Sequence, residues 1–238
     1  MRCAAVAVAA LALASCGGSS SDGRLTVFAA ASLTGALHEL APDARFNFAG
    51  SDELATQLRE GARADVYAAA NTRYPAELFA EGLVARPQVF ATNRLVLVVP
   101  ADNPAHLRSA RDLRRRDVKL VIAQRGVPAG DYTRAVLAEL GDARLLEHVA
   151  SEEEDVKGVI GKVALGEADA GFAYATDARA AADDVRAIEL PGTAAASIRY
   201  AVAVVRGAKH AREAQRFVGR LLPARGRAAL RRAGFGVP

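Results

Sequence analysis

The sequence predicts an α/β protein of two lobes, built on mainly parallel sheets that helices cover. Apolar β-type runs recur along the chain and alternate with helical patterns, which is typical of parallel sheets. Two long β runs, 94–100 and 198–205, bracket the middle of the chain and predict strands that cross a hinge between lobes. About 215 residues follow residue 23, enough for two small lobes.

The first 15 residues have the pattern of a secretory signal peptide, with one arginine before an apolar run too short to span a bilayer comfortably. The residues Leu13-Ala14-Ser15-Cys16 resemble the lipoprotein signal of bacteria, in which the cysteine is lipidated after cleavage just before it. We therefore expect a signal peptide over 1–15, lipidation at Cys16 and a flexible tether over 16–23. The alternatives are an ordinary signal with a chance cysteine and a misplaced start codon.

Charge and cysteine content argue against nucleic-acid binding and against disulfides. Without Arg2 the chain has 30 basic and 27 acidic residues, a small excess. Arginine outnumbers lysine 27 to 4 and tryptophan is absent, so there is little equipment for stacking on bases. The basic run 111–117 is interpreted as a solvated helix face or turn. Cys3 would be removed and Cys16 lipidated, which leaves no pair to form a disulfide.

Seven strands are predicted from β-type runs, separated by helical patterns. The clearest helix is 156–164, where apolar residues recur at helical spacing. A closing helix near Phe217 and Leu221 is expected to pack on the first lobe. The lobes are predicted as 24–95 with 200–238, and 96–199. The predicted strands are 25–31, 44–50, 65–70, 94–100, 118–123, 170–176 and 198–205.

Two strand–helix junctions carry a serine, Ser32 after the first strand and Ser51 after the second. Each serine could cap the following helix, or it could face a ligand. Unpaired backbone N–H groups and the macrodipole make helix N-termini suited to anions. Both junctions lie at the carboxyl ends of strands, where open α/β sheets bind ligands. The pattern predicts capture of a small oxyanion.

Two further segments are candidates for the same site. In VPAGDY, 127–132, only the backbone N–H of Ala129 could reach a ligand, and an ordinary loop into a helix is the alternative. The segment 151–178 carries an acidic cluster before the 156–164 helix and ends a strand near Tyr174. That phenol could donate a hydrogen bond or be structural.

Enzymatic motifs are absent from the sequence. GVIGKV, 158–163, lacks the spacing and the hydroxyl residue of a P-loop, and no G-x-S-x-G elbow occurs. The four histidines show no metal-ligand spacing, and none is close in sequence to Ser32 or Ser51. We expect no catalysis. A secreted hydrolase with Ser32 or Ser51 as nucleophile remains the alternative, and it requires a histidine within hydrogen-bond reach.

Taken together, several motifs resemble the molybdate-binding proteins of bacterial ABC importers over nearly the whole mature chain. The resemblance implies a type II periplasmic-binding fold that closes on molybdate or tungstate as ligand, without a cofactor. It also implies a membrane ABC permease as partner, an extracytoplasmic location at the cell envelope and a monomer. The motifs are TVFAAASL (26–33), FAGSDELATQL (48–58), GARADVYAAA (61–70), VPAGDY (127–132), EDVKGVIGKVALGEADAGFAYATDA (154–178) and YAVAVV (200–205).

Carried over by motif, the resemblance implies side-chain donors from two serines and a tyrosine and backbone donors from two residues. Asp52 stands where the family often has a second serine, and we expect it to point outward or to cap the helix. The segment 41–46 is shorter than usual, which should trim the first helix. Sulfate or another small anion remains the alternative ligand. The implied site residues are Ser32, Ser51, Ala129, Val156 and Tyr174.

Overall fold

The computed structural model describes residues 23–115, 117–192 and 198–238. The expected signal peptide, Cys16 and all of the expected tether except Gly23 lie outside the described residues. The strands are β1 (Thr26–Ala30), β2 (Arg45–Ala49), β3 (Val66–Ala69), β4 (Gln88–Asn93), β5 (Leu95–Pro100), β6 (Leu120–Ala123), β7 (Ser151–Glu153), β8 (Ala170–Tyr174), β9 (Val185–Glu189) and β10 (Ile198–Val204). The helices are α1 (Thr34–Leu40), α2 (Ser51–Arg59), α3 (Arg73–Ala80), α4 (Pro128–Glu139), α5 (Val156–Ala164), α6 (Ala175–Ala180), α7 (Ala211–Leu221) and α8 (Ala224–Arg232).

Lobe 1 is built on a five-stranded sheet in the order β2-β1-β3-β10-β4. β1 runs parallel to β2 and β3, and β10 runs antiparallel to β3 and β4. The closing helix is α7, which packs on β10 through its buried Phe217 and Leu221. It is followed by α8, which the sequence did not predict and which packs on α1 and α7.

Lobe 2 is built on a second five-stranded sheet in the order β7-β6-β8-β5-β9. β6 runs parallel to β7 and β8, and β5 runs antiparallel to β8 and β9. The predicted 156–164 helix is α5, which lays Val159 and Val163 against this sheet without exposing them to solvent. Burying these branched side chains contributes about 1.5–3 kcal/mol each.

The prediction of mainly parallel sheets needs correction, because both sheets are mixed. Parallel neighbours need a crossover that returns the chain to the same end of the sheet. β5 and β10 instead enter their lobes at the end where the lobes meet: Leu95 pairs with Tyr174 at the end of β8, and Ala201 pairs with Ala69 at the end of β3. Entry from that end makes them antiparallel to these neighbours.

All seven predicted strands are present, and β4, β7 and β9 were missed. The chain passes from lobe 1 to lobe 2 at Arg94, between β4 and β5, and returns after β9 to β10. The two strands predicted to cross the hinge thus lie directly after the crossings, each paired within one sheet. α1 is short at seven residues, in line with the short segment 41–46.

Candidate functional site

The five residues that the sequence predicted as a binding site line one cleft between the lobes. In this cleft the carboxyl ends of β1 and β2 and the residue after β3 face the first turns of α4 and α5 and the end of β8. Ligands of open α/β sheets bind at this end of the strands. The lining residues are Ala30, Ala31, Ser32, Ala49, Gly50, Ser51, Ala70, Val127, Pro128, Ala129, Asp155, Val156 and Tyr174.

Ser32 is buried in a 3-10 turn, Ala31–Leu33, directly after β1. Ala30 holds the N-cap position of this turn and Leu33 that of α1, so the alternative prediction that Ser32 caps a helix is wrong. Its hydroxyl oxygen lies 2.9 Å from that of Tyr200, on β10 of the same lobe, and the two share a hydrogen bond.

Ser51 is the first residue of α2, and Gly50 before it holds the N-cap position, so the capping alternative is wrong here too. The Ser51 hydroxyl oxygen accepts a hydrogen bond from the backbone N–H of Ala70 over 3.0 Å. Tyr67 donates to the Ser51 carbonyl over 2.6 Å. Because the hydroxyl oxygen already accepts, its proton is available to a ligand in the cleft.

Ala129 is the second residue of α4, after Pro128. Proline has no N–H, so Ala129 carries the first backbone donor of the helix, and this donor has no intrahelical acceptor. The helix start lies against the end of β6: a Cβ on Gly130 would come within 2.1 Å of the carbonyl oxygen of Gln124. Only glycine permits this approach, which sets the Ala129 N–H at the edge of the cleft.

Val156 is the first residue of α5, and Asp155 caps this helix. One oxygen of the Asp155 carboxylate accepts from the backbone N–H groups of Lys157 and Gly158 over 2.7 and 3.0 Å. The cap therefore occupies the second and third donors of the helix and leaves the first, on Val156, for a ligand. Asp155, one of the acidic cluster before this helix, thus places its carboxylate at the positive end of the helix dipole.

Tyr174 ends β8 and is 1% exposed. Its hydroxyl has no hydrogen-bond partner among the described residues. A buried polar group without a partner loses about 1–3 kcal/mol, so its presence at a cleft points to a ligand that completes it. Burial raises the pKa of this phenol well above its ordinary value, which keeps the proton in place for donation.

The cleft lining holds no lysine or arginine in the part of the chain that the structure describes. Asp177, in the first turn of α6 just beyond Tyr174, is buried, and one of its carboxyl oxygens has no partner within the described ranges. Burial raises the pKa of Asp177 to about 7; the nearby Asp155 carboxylate adds to this and Lys157 opposes it. Because the described lining has no lysine or arginine, any donors that the cleft offers to an anion are uncharged.

Asp52, expected to point outward or to cap α2, does neither. It is half-buried at the second position of α2, where Gly50 holds the N-cap. Its carboxyl oxygens come close to Gly50 and to Gly126 of lobe 2, so it lies at the seam between the lobes rather than among the cleft residues. Burial raises the pKa of this carboxyl, and the Asp131 carboxylate adds to the effect.

Three side chains near the cleft were not predicted from the sequence. Tyr74 and Arg73, on α3, contact the loop of lobe 2 that precedes α4. Tyr200 reaches Ser32 from a strand that comes 168 residues later. The sequence signals only that Tyr200 lies in a predicted strand, since neither its partner nor the closed arrangement of the lobes follows from local pattern.

Comparison with known proteins agrees with this architecture. The sequence profile of the bacterial extracellular solute-binding proteins matches residues 25–236. The molybdate-binding protein ModA of Mycobacterium tuberculosis is 38% identical over 224 residues, covering 90% of this chain and 85% of that protein. ModA of Escherichia coli is 32% identical over 222 residues, covering 85% of this chain and 86% of that protein.

A solved structure shares the fold. The periplasmic molybdate-binding protein of Azotobacter vinelandii superimposes with a TM-score of 0.79, covering 90% of this chain and 100% of that one. At 21% sequence identity this likeness concerns the fold, and it supports two lobes around a central cleft.

Proposed function

Because this chain belongs to the bacterial extracellular solute-binding proteins, we propose that it captures molybdate between its lobes and passes it to an ABC importer. Tungstate, with the same charge and geometry, is expected to bind as well. Molybdate is the cargo of the protein and not a cofactor. The observation that carries the proposal is the buried hydroxyl of Tyr174, which has no partner among the residues that the structure describes, in a cleft that Ser32 and Ser51 also line.

Uncharged donors suit a tetrahedral dianion, whose four oxygens act only as acceptors. We assign five donors to it: the hydroxyls of two serines and one tyrosine, and two backbone N–H groups. Hydrogen bonds to charged groups contribute about 1.5–3 kcal/mol each. Micromolar binding needs about 8 kcal/mol, so five such bonds offset the cost of closing the lobes. The donors are Ser32, Ser51, Ala129, Val156 and Tyr174.

The same chemistry limits the alternatives. A carboxylate ligand would favour an arginine in the cleft, and the described lining has none. Sulfate is also fully deprotonated, so its rejection depends on the size of the closed cavity. A serine hydrolase needs a histidine at its nucleophile, whereas Ser32 is bonded to Tyr200 and Ser51 to the Ala70 N–H.

The location at the cell envelope follows from the amino-terminal sequence. We propose that residues 1–15 are removed, that Cys16 is lipidated and that residues 16–23 tether a monomer to the extracytoplasmic membrane face. Within the described ranges, the structure has no helix with the length and apolar character needed to cross a bilayer. The permease would then receive the cargo at the same membrane.

Isothermal titration tests the proposal. The chain from Gly17 to Pro238, which contains both sheets, is titrated with molybdate, tungstate, sulfate and phosphate. We expect micromolar or tighter binding of molybdate and tungstate and no comparable binding of phosphate. A heat of binding with phosphate alone, or with none of the four anions, would contradict the assignment of molybdate as the ligand.

A further inference from the structure

We propose that Tyr200 is a positioning residue that turns the proton of the Ser32 hydroxyl into the cleft and thereby helps to select fully deprotonated oxyanions. The inference rests on the proposed function and deepens it, because it concerns the selectivity of the same site. It follows from the direction of a chain of hydrogen bonds that starts at the crossing between the lobes.

This series of hydrogen bonds starts at Asn93, the last residue of β4. Asn93 is 7% exposed. Its side-chain oxygen accepts from the backbone N–H of Arg94 over 2.9 Å. This contact fixes the orientation of the amide, so the side-chain nitrogen is the donor. That nitrogen donates to Thr176 of lobe 2 over 2.9 Å and to the hydroxyl of Tyr200 over 3.3 Å.

The Tyr200 hydroxyl has one proton, and its oxygen already accepts from Asn93. Either hydroxyl could donate in the 2.9 Å bond between Tyr200 and Ser32, and because Tyr200 already accepts from Asn93 we assign its proton to this bond. With Ser32 as the acceptor in this bond, the Ser32 proton is left for the cleft. Bonds aligned in one direction strengthen one another. Ser51 has the equivalent arrangement, with the backbone N–H of Ala70 in place of the phenol.

The backbone around Tyr200 is shaped to hold this contact. The pairing of β10 with β4 shifts register between Tyr200 and Ala201, which pair with Ala91 and Val89 and skip Phe90. Such bulges re-aim a side chain and are frequent beside functional sites. The Tyr200 ring is fully buried, and Phe235 packs edge-on against it at a centroid distance of 5.4 Å. The phenol is thus fixed in one position.

A Ser32 hydroxyl whose proton is held toward the ligand discriminates against a protonated ligand. Hydrogen phosphate carries an O–H that needs an acceptor, and a fixed donor opposite it leaves two protons facing each other. Without the phenol, Ser32 is free to rotate and accept that proton. Tyr200→Phe is therefore expected to weaken molybdate binding by about tenfold, the factor that corresponds to about 1.4 kcal/mol. It is also expected to lower the preference for molybdate over phosphate.

A double-mutant cycle tests whether Tyr200 acts through Ser32. Molybdate and inorganic phosphate are titrated at pH 7.5 into the chain from Gly17 to Pro238 as wild type, Tyr200→Phe, Ser32→Ala and the double variant. We expect Tyr200→Phe to lower affinity in the wild type and to have little effect when Ser32 is already alanine. Equal losses in both backgrounds would overturn the inference. A wild type that does not bind molybdate would instead contradict the proposed function.

Two further variants separate positioning from stability. Val218→Ala removes buried methyl groups from α7, outside the cleft lining. It should lower stability and keep the molybdate-to-phosphate ratio of the wild type. Asn93→Ala keeps both hydroxyls and removes the donor to Tyr200, together with the contacts of Asn93 to Thr176 and to the Arg94 N–H. The lost contact to Thr176 affects both anions alike, so a lower molybdate-to-phosphate ratio would report the lost donor to Tyr200. A wild-type ratio in both Asn93→Ala and Tyr200→Phe would refute the role of Tyr200.

Discussion

The hydroxyl of Tyr74 in lobe 1 donates a hydrogen bond to the backbone carbonyl of Gly126 in lobe 2 over 2.7 Å. Beside it, the Arg73 guanidinium lies 3.3 Å from the Asp131 carboxylate, again across the seam between the lobes. None of these residues lines the cleft. The seam therefore favours the closed arrangement without touching the ligand, and it should govern how long the ligand stays enclosed.

Tyr74→Phe should accelerate ligand release by about twofold to tenfold, because it removes one hydrogen bond worth about 0.5–1.5 kcal/mol from the closed state. Stopped-flow tyrosine fluorescence after mixing molybdate-loaded protein with excess tungstate measures the rate. The melting temperature of the ligand-free protein should stay near that of the wild type. An unchanged release rate would show that the seam does not limit opening.

Tyr174→Phe should weaken molybdate binding by about 1–3 kcal/mol and leave the free energy of unfolding unchanged or higher. The reason is that the variant removes a buried hydroxyl with no partner in the described part of the chain. Titration calorimetry and urea denaturation measure the two quantities. Tyr67→Phe is the control, since its hydroxyl is bonded and its loss should lower stability. If Tyr174→Phe binds molybdate as tightly as the wild type, Tyr174 is not a ligand donor.

Gly50→Ala should hinder closure. A Cβ at this position would lie 2.9 Å from the carbonyl oxygen of Glu154 in lobe 2. The backbone of Gly50, with φ of −57°, suits alanine. Within lobe 1 the Cβ would lie 2.7 Å from a carboxyl oxygen of Asp52, a contact that rotation of this side chain can relieve. We expect an affinity loss of about 1–3 kcal/mol from this overpacking, and a smaller decrease in radius of gyration on adding molybdate by X-ray scattering.

Gly35→Ala, in α1, is the matched control for Gly50→Ala. A Cβ there meets no atom within 4 Å, and alanine favours the helix. Closure and affinity should stay at the wild-type values. If Gly50→Ala and Gly35→Ala had the same affinity and the same closure, a clash at Gly50 would not hinder closure.

Asp177 should make the protein less stable as pH rises. Its pKa is raised to about 7 in the folded state, against an ordinary value near 3.8 in the unfolded chain. The folded state therefore binds the proton more tightly, and stability is lost progressively from about pH 4 through about pH 7. Asp177→Asn removes this dependence. Urea denaturation should show a smaller fall between pH 4 and pH 8 for the variant, and equal falls would contradict the assignment.

Local pattern predicted the strands and the elements that place the site. Ser32 and Ser51 follow β1 and β2, and the carboxyl ends of neighbouring parallel strands meet at one sheet edge, so their convergence in lobe 1 could be expected. The periodic helix over 156–164 gave the position of α5. β7 was missed because it has only three residues. β9 was missed because one arginine and one glutamate interrupt the apolar pattern of its five residues.

Contacts between distant parts of the chain could not be predicted. The Ser32–Tyr200 bond depends on β10 lying beside β3, and the seam at Gly126 depends on how far the lobes close. Both are set by tertiary packing that no local window contains. The capping alternative failed for Ser32 and Ser51 because Ala30 and Gly50 hold the cap positions, two residues before Ser32 and one residue before Ser51.

The position of β10 in the first sheet bears on how the protein matures. This strand, encoded near the end of the chain, fills the gap between β3 and β4. If the chain is exported from the amino terminus, as proposed above, β10 cannot pair with β3 and β4 until the last forty or so residues have been translocated. The second sheet is contiguous in sequence and can assemble earlier. A chain exported in this direction is thus expected to complete lobe 1, and with it the cleft between the lobes, only after export is nearly complete.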